Sequence, residues 1–507
     1  MSQNMYVTHN SIRQRGSITV YVCLSILLIL SLIFSLLETV RIRGLKARTG
    51  AYTNLALESA FAGYQQEIWE DFGLLLLPMT AGGESFSPRG VESYMEKIAN
   101  ANACSAEGGT SFFTTENQQM HITGYELITD QRGKVFLDYI SKFMKYEISM
   151  AAAKKLKEQF APEEAQNGTM TPNELRDQAK NALVQTQQNP YVVQGRSTNQ
   201  SEQTPLEIAN PIYTVDESLS LGILNLVAPG KTISNETVCL SQPLMKRELN
   251  QGTISNKVQT GWYERILLQQ YIRMHFSSYV SKEKGTTSYQ QEYIIGGKKK
   301  ERENLEQVAW KIVGIREAAN FMYLMTDEGK KGEALIVAAA ISLLAGNPEI
   351  TEIVQKGILA SWALAESISD VRELLNGNKI PAIKTGSDWK TSLLGTGNSL
   401  YIPDGSQSMD QKERGLSYED YLQILFAALS EKEIAYRTLD LMERSMMTED
   451  QSRSLHMDQM AISMKIEGEY QYKILFLNMV PKEFYSEFSK YNTHNSISNS
   501  AEFSYYK

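Results

Sequence analysis

The chain has 507 residues, enough for about two to four domains, and its 42% hydrophobic and 21% charged content excludes wholesale disorder. A net charge of −8 argues against a nucleic-acid partner, and five histidines with three cysteines leave little material for a transition-metal site or a disulfide framework. Scarce proline (13) and ordinary glycine (33) favour an α+β, mainly helical chain.

Residues 1–16 form a polar cytoplasmic leader ending in Arg13, Arg15 and Gly16. Residues 17–37, SITVYVCLSILLILSLIFSLL, carry no charge. As a helix this run rises about 31 Å, close to the thickness of a bilayer's hydrocarbon core. Inside lipid every backbone polar group must be bonded within the segment, so the run is expected to be a transmembrane helix. A cleaved secretory signal fits less well: the run exceeds the roughly 7–15 apolar residues of such signals, and no A-x-A site precedes Glu38.

The basic leader, the glycine and the apolar helix together resemble the prepilin-type signal of type IV and tight-adherence pilins, which is cleaved after the glycine. Gly16 and Ser17 are therefore the candidate processing site, the bare glycine admitting a peptidase to the backbone. Tyr21 stands at the fifth position after that point, where type IV pilins carry a glutamate, which argues against a polymerising major pilin. Arg13 and Arg15 precede the span, whereas Arg41, Arg43, Lys46 and Arg48 follow it. Positive residues favour the cytoplasmic side, which would keep the large domain inside. Pilin-like anchors present theirs outside, and an extracellular domain on a single-pass cytoplasmic-membrane protein is the expectation adopted.

The helical pattern continues over 38–78 as a stalk that Pro78 closes, with Phe61, Tyr64, Ile68 and Leu74 to Leu77 as its docking face. Residues 79–160 read as mixed α/β: a strand at 121–130, then helical spacing from Lys134 to Phe160. Residues 161–210 are rich in Gln, Asn, Thr and Pro, the composition of a linker or insertion, with one short helix at Asn173–Val184. In the mixed region 211–297, Trp262–Tyr279 reads as a helix and 287–297 as a strand ending in a Gly-Gly turn. Residues 298–375 carry three helical patterns, from Leu305 through Met322, over 334–346, and from Ile350 to Leu375, which suggests a bundle. Residues 376–415 are loops. In 416–488 a helix over Tyr418–Met442 starts at Ser417 as N-cap, with Asp420 three residues on, and alternation over 462–477 predicts a strand or hairpin. Residues 489–507 read as a loose polar tail.

Little in the chain points to chemistry. His456 and Asp458 bring a base near an acid, but no G-x-S-x-G elbow, C-x-x-C or H-E-x-x-H accompanies them, and His121 and His275 stand alone. Gly395-Thr396-Gly397 lacks the rest of a dinucleotide loop. Glu366 and Asp370 fall one helical turn apart, a spacing suited to acid/base work or calcium; the plainer reading is a solvated helix face near Lys356 and Arg372. Asp404 and Asp410 only echo a calcium loop. No catalytic residue, cofactor or metal is expected. Cys104 and Cys239 are a candidate disulfide outside the cell, with two buried free thiols as the alternative.

Several segments carry a wider resemblance. They are the opening GSITVYVCLSILLILSLIFSLLETVRIRG, then LALESAFAGYQQEIWEDFGLLLL, NLVAPG, YERILLQQYIRMHF, EYIIGGKKKERENL, IREAANFMYL, WALAESISDVRELLNGNKIPAIKTGSDW and LSYEDYLQILFAAL. Over about residues 15–480 the chain resembles a family of uncharacterised bacterial membrane-anchored proteins, a domain of unknown function often found with tight-adherence pilus genes. The resemblance implies a pseudopilin-like accessory role with pilins or pilus-platform proteins as partners, and it transfers no catalytic residue. A cell-envelope enzyme, or a membrane scaffold with a cytoplasmic domain, are the alternatives.

Overall fold

The computed structural model describes residues 11–83, 85–103, 112–145, 148–159, 170–185, 210–238, 240–254, 257–281, 289–393, 415–447, 455–476 and 495–506. The protein is α+β and mainly helical, 63% helix and 10% strand. It divides into two compact units, one of residues 1–131, 249–258 and 445–507 and the other of 132–248 and 259–444.

The first unit is built on α1 (Ser11–Phe61), a single unbroken helix. It holds the one segment among the described residues long and apolar enough to cross a bilayer, and none of its most apolar window is buried. That is compatible with a single-pass membrane anchor. From Glu38 onward the same helix changes character. Glu38, Arg41, Leu45, Thr49, Thr53, Ala56, Leu57, Ala60 and Phe61 are buried, at helical spacings that set one stripe against a sheet. The stalk expected to reach Pro78 ends earlier, at Phe61, where Ala62 and Gly63 turn the chain. A short α2 (Gln66–Phe72), closed by Gly73 in a left-handed conformation (φ 68°), and β1 (Leu77–Pro78) occupy the remainder. Leu74, Leu76 and Leu77 are buried as the docking reading requires, whereas Tyr64 is exposed.

α3 (Pro88–Ala103) buries Val91, Met95, Ala99 and Ala103 at intervals of four. It is tied to the next strand by backbone amides of Met120 and Ile122 donating to Glu96 and Glu92. That strand, β2 (Glu116–Leu127), lies antiparallel to the central β3 (Met460–Tyr472), with Ile122 opposite Ile466. β4 (Asn495–Ser504) and β1 share the other edge of β3, both antiparallel to it. The helical face of the sheet carries Met464, Ile466 and Tyr470, packed on Ala56, Leu57, Ala60 and Val91. Gly468 is required where α1 comes closest: a Cβ there would stand 2.7 Å from Thr53 Oγ1. Of the strand or hairpin expected over 462–477, the structure has a single central strand. The loose polar tail is corrected: the end of the chain supplies β4, because Ile497 and Ala501 alternate onto the covered face.

Among the described residues the second unit is helical apart from isolated bridges. α4 (Lys134–Met144) and α5 (Met150–Gln159) replace the single helix read from 134 to 160. α6 (Pro172–Gln185) is the short helix expected at 173–184, but it is core: Ala179 and Leu183 are buried and it packs on α13 below. The rest of the expected linker lies outside the described residues. α7 (Pro211–Ser220), α8 (Ile223–Val227) and α9 (Trp262–His275) follow. The strand expected at 287–297 is instead α10 (Gln290–Gly296), closed by Gly297 at φ 63°. A short apolar run such as Tyr293-Ile294-Ile295 is buried on every side, and its periodicity cannot tell strand from helix.

α11 (Glu301–Thr326), α12 (Glu328–Leu344) and α13 (Thr351–Leu375) form the expected bundle. α13 is its axis, buried almost continuously from Gly357 to Leu375. α12 spends Val337, Ala338 and Ile341 on the bundle and leaves Leu335, Ile336 and Leu343 exposed. The helix expected over 418–442 is broken into α14 (Tyr418–Ala427) and α15 (Glu431–Ser445). Ser417 caps α14 with Asp420 as anticipated, and Ser430 with Glu433 caps α15 in the same way.

Candidate functional site

Glu366 and Asp370, the carboxylate pair singled out by spacing, are not on a solvated face. Both are fully buried on α13, in a group of four paired charges. Arg316 on α11 donates through Nε to Asp370 Oδ2 at 3.0 Å and through Nη1 to the carbonyls of Pro381 and Ala382. Lys384, from the segment after α13, pairs with Glu366 and lies 2.5 Å from Asp370 Oδ1. Glu366 also accepts from the Thr391 amide (2.8 Å) and hydroxyl (2.7 Å). Asn320 bridges Ser367 and Asp370, and Tyr421 from α14 accepts from Arg316.

Aromatic rings close the group on one side. Trp362 donates Nε1–H to Thr391 at 2.9 Å, Trp389 meets it edge-on at 5.8 Å, and Tyr323 stacks on Trp389 at 5.4 Å. Lys330 sits 4.7 Å from the Trp362 ring centre and 5.1 Å from that of Trp389.

Burial alone would raise the Asp370 pKa, but the Lys384 ammonium and then the Arg316 guanidinium outweigh it and hold the carboxyl below the usual aspartate range. Burial disfavours charge on Arg316 too, and Asp370 chiefly overcomes it, so the guanidinium is held above its ordinary value. Two carboxylates are thus matched by two cations, and the charge a calcium ion would neutralise is already neutralised. The arrangement is a clasp: it fixes the 380–391 segment across α11 and α13, and none of its four charged side chains, Arg316, Glu366, Asp370 and Lys384, reaches solvent.

A second group of acids lies nearby in the same unit. Glu292 on α10 is wholly buried, which pushes its pKa up to about 7 even though the Tyr279 amide and the Tyr418 hydroxyl both donate to it. Asp440 on α15 is raised to about 6 by burial, against the opposing hydrogen bonds of the Leu244 amide and the Tyr293 hydroxyl. Spacing pointed to neither. The available signal was their placement inside runs otherwise apolar, Tyr293-Ile294-Ile295 beside Glu292 and Leu439, Leu441 and Met442 around Asp440.

Of the remaining sequence candidates, His456 and Asp458 are brought together, with side-chain ligand atoms within 4.8 Å of each other, and the rest are dispersed. His456 is half-buried and opens the turn Met457–Gln459, where Asp458 accepts from the Asn250 amide (3.1 Å) and side chain (2.8 Å). His121 is exposed on β2, and the His275 ring meets that of Tyr271 at a tilt, centres 4.4 Å apart. Gly16 and Ser17 fall within α1. Cys104, Cys239, Asp404, Asp410 and Gly395 to Gly397 lie outside the described residues. In the first unit a groove of about 760 Å³ runs along β1 and α3, lined by Leu77, Pro78, Ser93, Tyr94 and Lys97, and among the described residues its lining holds no carboxylate or histidine.

The model of a family of unknown function, DUF5702, matches residues 200–472, more than half of the chain. The match takes in α7 to α15 and β3 and stops short of α1, so it is narrower than the resemblance read from the sequence. No curated protein and no solved structure matches the chain significantly.

Proposed function

From the premise that the chain belongs to this family of unknown function, we propose that it is a membrane-anchored, non-enzymatic accessory component of a surface assembly of the tight-adherence pilus type. Its N-terminal part is pseudopilin-like and its large folded part extracellular. One observation carries the reading. α1 is a single helix whose first half is apolar and uncovered, while its second half is packed on an antiparallel sheet. Each large aliphatic side chain left in water forgoes about 1.5–3 kcal/mol of burial, so such a half-helix belongs in lipid or among like helices. The enclosed, charge-matched clasp in the second unit supports a role without chemistry of its own.

Mass analysis of the protein recovered from membranes tests the proposal. A mature chain beginning at Ser17 supports prepilin-type processing and pilin or platform partners; a chain retaining Met1 overturns the pseudopilin part. The four basic residues Arg41, Arg43, Lys46 and Arg48 favour a second reading, a scaffold with its folded part in the cytoplasm. Reaction of Cys104 and Cys239 with an impermeant thiol reagent on intact cells, after reduction, separates the two topologies.

A further inference from the structure

At the point where α1 leaves its uncharged run, Glu38 and Arg41 pair at 2.7 Å, both buried. Glu38 Oε2 accepts from the amides of Leu475 (3.2 Å) and Phe476 (2.7 Å), and Arg41 donates to the carbonyls of Phe112 and Lys473. Two separate chain segments are therefore tied to one turn of α1. What they present outward is apolar. Phe112 is 60% exposed and Leu475 37% exposed, and Phe112 stacks on Phe476 at 5.9 Å. Just beyond them Arg43, Lys46 and Lys473 are exposed.

We infer that Phe112, Leu475 and Phe476 form a collar that inserts into the interfacial layer of the leaflet from which α1 emerges, with Arg43, Lys46 and Lys473 above it among the lipid phosphates. The inference rests on the membrane-anchor reading and deepens it. Arg41 lies four residues beyond Leu37, about 6 Å of helix rise, and the headgroup layer on each side of a bilayer is about 5–7 Å deep. The collar thus meets that layer at its own depth. Its apolar surface continues that of the span, and basic residues at this height match anionic headgroups. A buried ion pair at the same level holds the two segments in place, where a lone charge would be costly.

The test uses the full chain with Cys23→Ser, Cys104→Ser and Cys239→Ser, reconstituted in phosphatidylcholine–phosphatidylglycerol vesicles containing a lipid spin-labelled near its headgroup. An environment-sensitive fluorophore is placed in turn at Phe112→Cys, Leu475→Cys, Leu27→Cys within the span, and Glu70→Cys on α2, past the far end of α1. The collar predicts that quenching at 112 and 475 exceeds that at 70 by about twofold or more, as for a patch seated in the headgroup layer. If 27 is shielded from an aqueous quencher while 112 and 475 behave like 70, the collar is refuted and the anchor stands. If 27 is itself open to the aqueous quencher, the anchor fails and the collar with it. Labels at 112 and 475 buried from both lipid and water would mean that protein covers the patch, which also refutes the collar.

Discussion

Arg316 and Asp370 hold each other at 3.0 Å from two packed helices, with neither side chain open to solvent. Lys384 sits against the same aspartate, and Glu366, the fourth charge, balances Lys384. A group of this kind is stabilised only as a whole, because removing one member leaves a bare charge in a poorly solvating interior. Asp370→Asn is expected to cost about 3–5 kcal/mol, leaving Arg316 and Lys384 to share Glu366. Replacing Arg316 by Met and Asp370 by Leu together leaves Lys384 paired with Glu366, and should cost clearly less than the sum of the two single changes. Thermal unfolding of the detergent-solubilised chain, run as a double-mutant cycle, decides it. Additive costs would show that the pair is not coupled.

Acids raised by burial, Glu292 and Asp440 foremost and Glu317 in the same direction, give the second unit an unusual pH dependence. Glu292, at about 7, and Asp440, at about 6, bind their protons more tightly folded than unfolded. Between about pH 4 and 7 the folded state therefore carries the extra protons, and stability falls as pH rises. Glu292 alone accounts for about 3 kcal/mol at most, taking about 1.4 kcal/mol per pKa unit. Asp370 works in the opposite sense and lower down: its contribution is complete above the ordinary aspartate pKa and is lost as pH falls through its depressed value. Melting is expected to be higher at pH 5 than at pH 8, and Glu292→Gln should narrow the gap by raising the melting temperature at pH 8. An unchanged gap in that variant would rule Glu292 out as its source.

What could be read beforehand follows from which signals are local. Three long helices were legible because Leu305, Val308, Ile312 and Ile315, and their counterparts on α12 and α13, repeat over many turns. The Ser417–Asp420 cap was legible because it is complete within four residues. α10 was not, because seven residues with three apolar ones in a row carry no usable period. β4 was missed because its stabilisation is non-local: Ile497 and Ala501 mean little until Tyr470 and Ile466 are set beside them. Glu366 and Asp370 were correctly placed on one face, but the partner that buries them, Lys384, comes from a segment with no regular pattern. The available warning was the run Gly357 to Ala365 that leads into Glu366, apolar on every side but for Ser361, so that an acid continuing it is enclosed with it.

Gly357 offers a contrast between helix propensity and packing. Replacing a glycine inside a helix by alanine ordinarily gains about 1 kcal/mol. Gly314 on α11 and Gly332 on α12 face open space, and Gly314→Ala and Gly332→Ala are expected to raise stability by about that amount. At Gly357 a Cβ would stand 2.4 Å from the Ala179 Cβ and 3.1 Å from Ile212 Cδ1, so α6 and α7 would have to retreat from α13. Gly357→Ala should therefore destabilise, reversing the sign. Chemical denaturation of the three variants checks this, and a stabilised Gly357→Ala would show that α6 is loosely seated.

The last strand ties the end of the chain to the end of α1. Phe61 meets Phe503 and Tyr505 with ring centres 4.5 and 5.0 Å apart, and the Tyr505 hydroxyl donates to the Phe61 carbonyl at 2.5 Å. β4 also pairs with β3 from Tyr472 opposite Asn495 to Ser463 opposite Ser504. Removing 495–507 would strip this edge from the central strand and uncover Ile466, Tyr470 and Phe61 together. Phe503→Ala, which leaves the strand but removes a half-buried ring, is expected to cost about 2 kcal/mol, below the value for a fully buried phenylalanine. Hydrogen exchange reads both changes: the β3 amides facing β4 should lose protection outright in the truncated chain and partly in Phe503→Ala. Full protection of those amides without residues 495–507 would mean that β3 is held by β2 and α1 alone, and that β4 contributes nothing to the sheet.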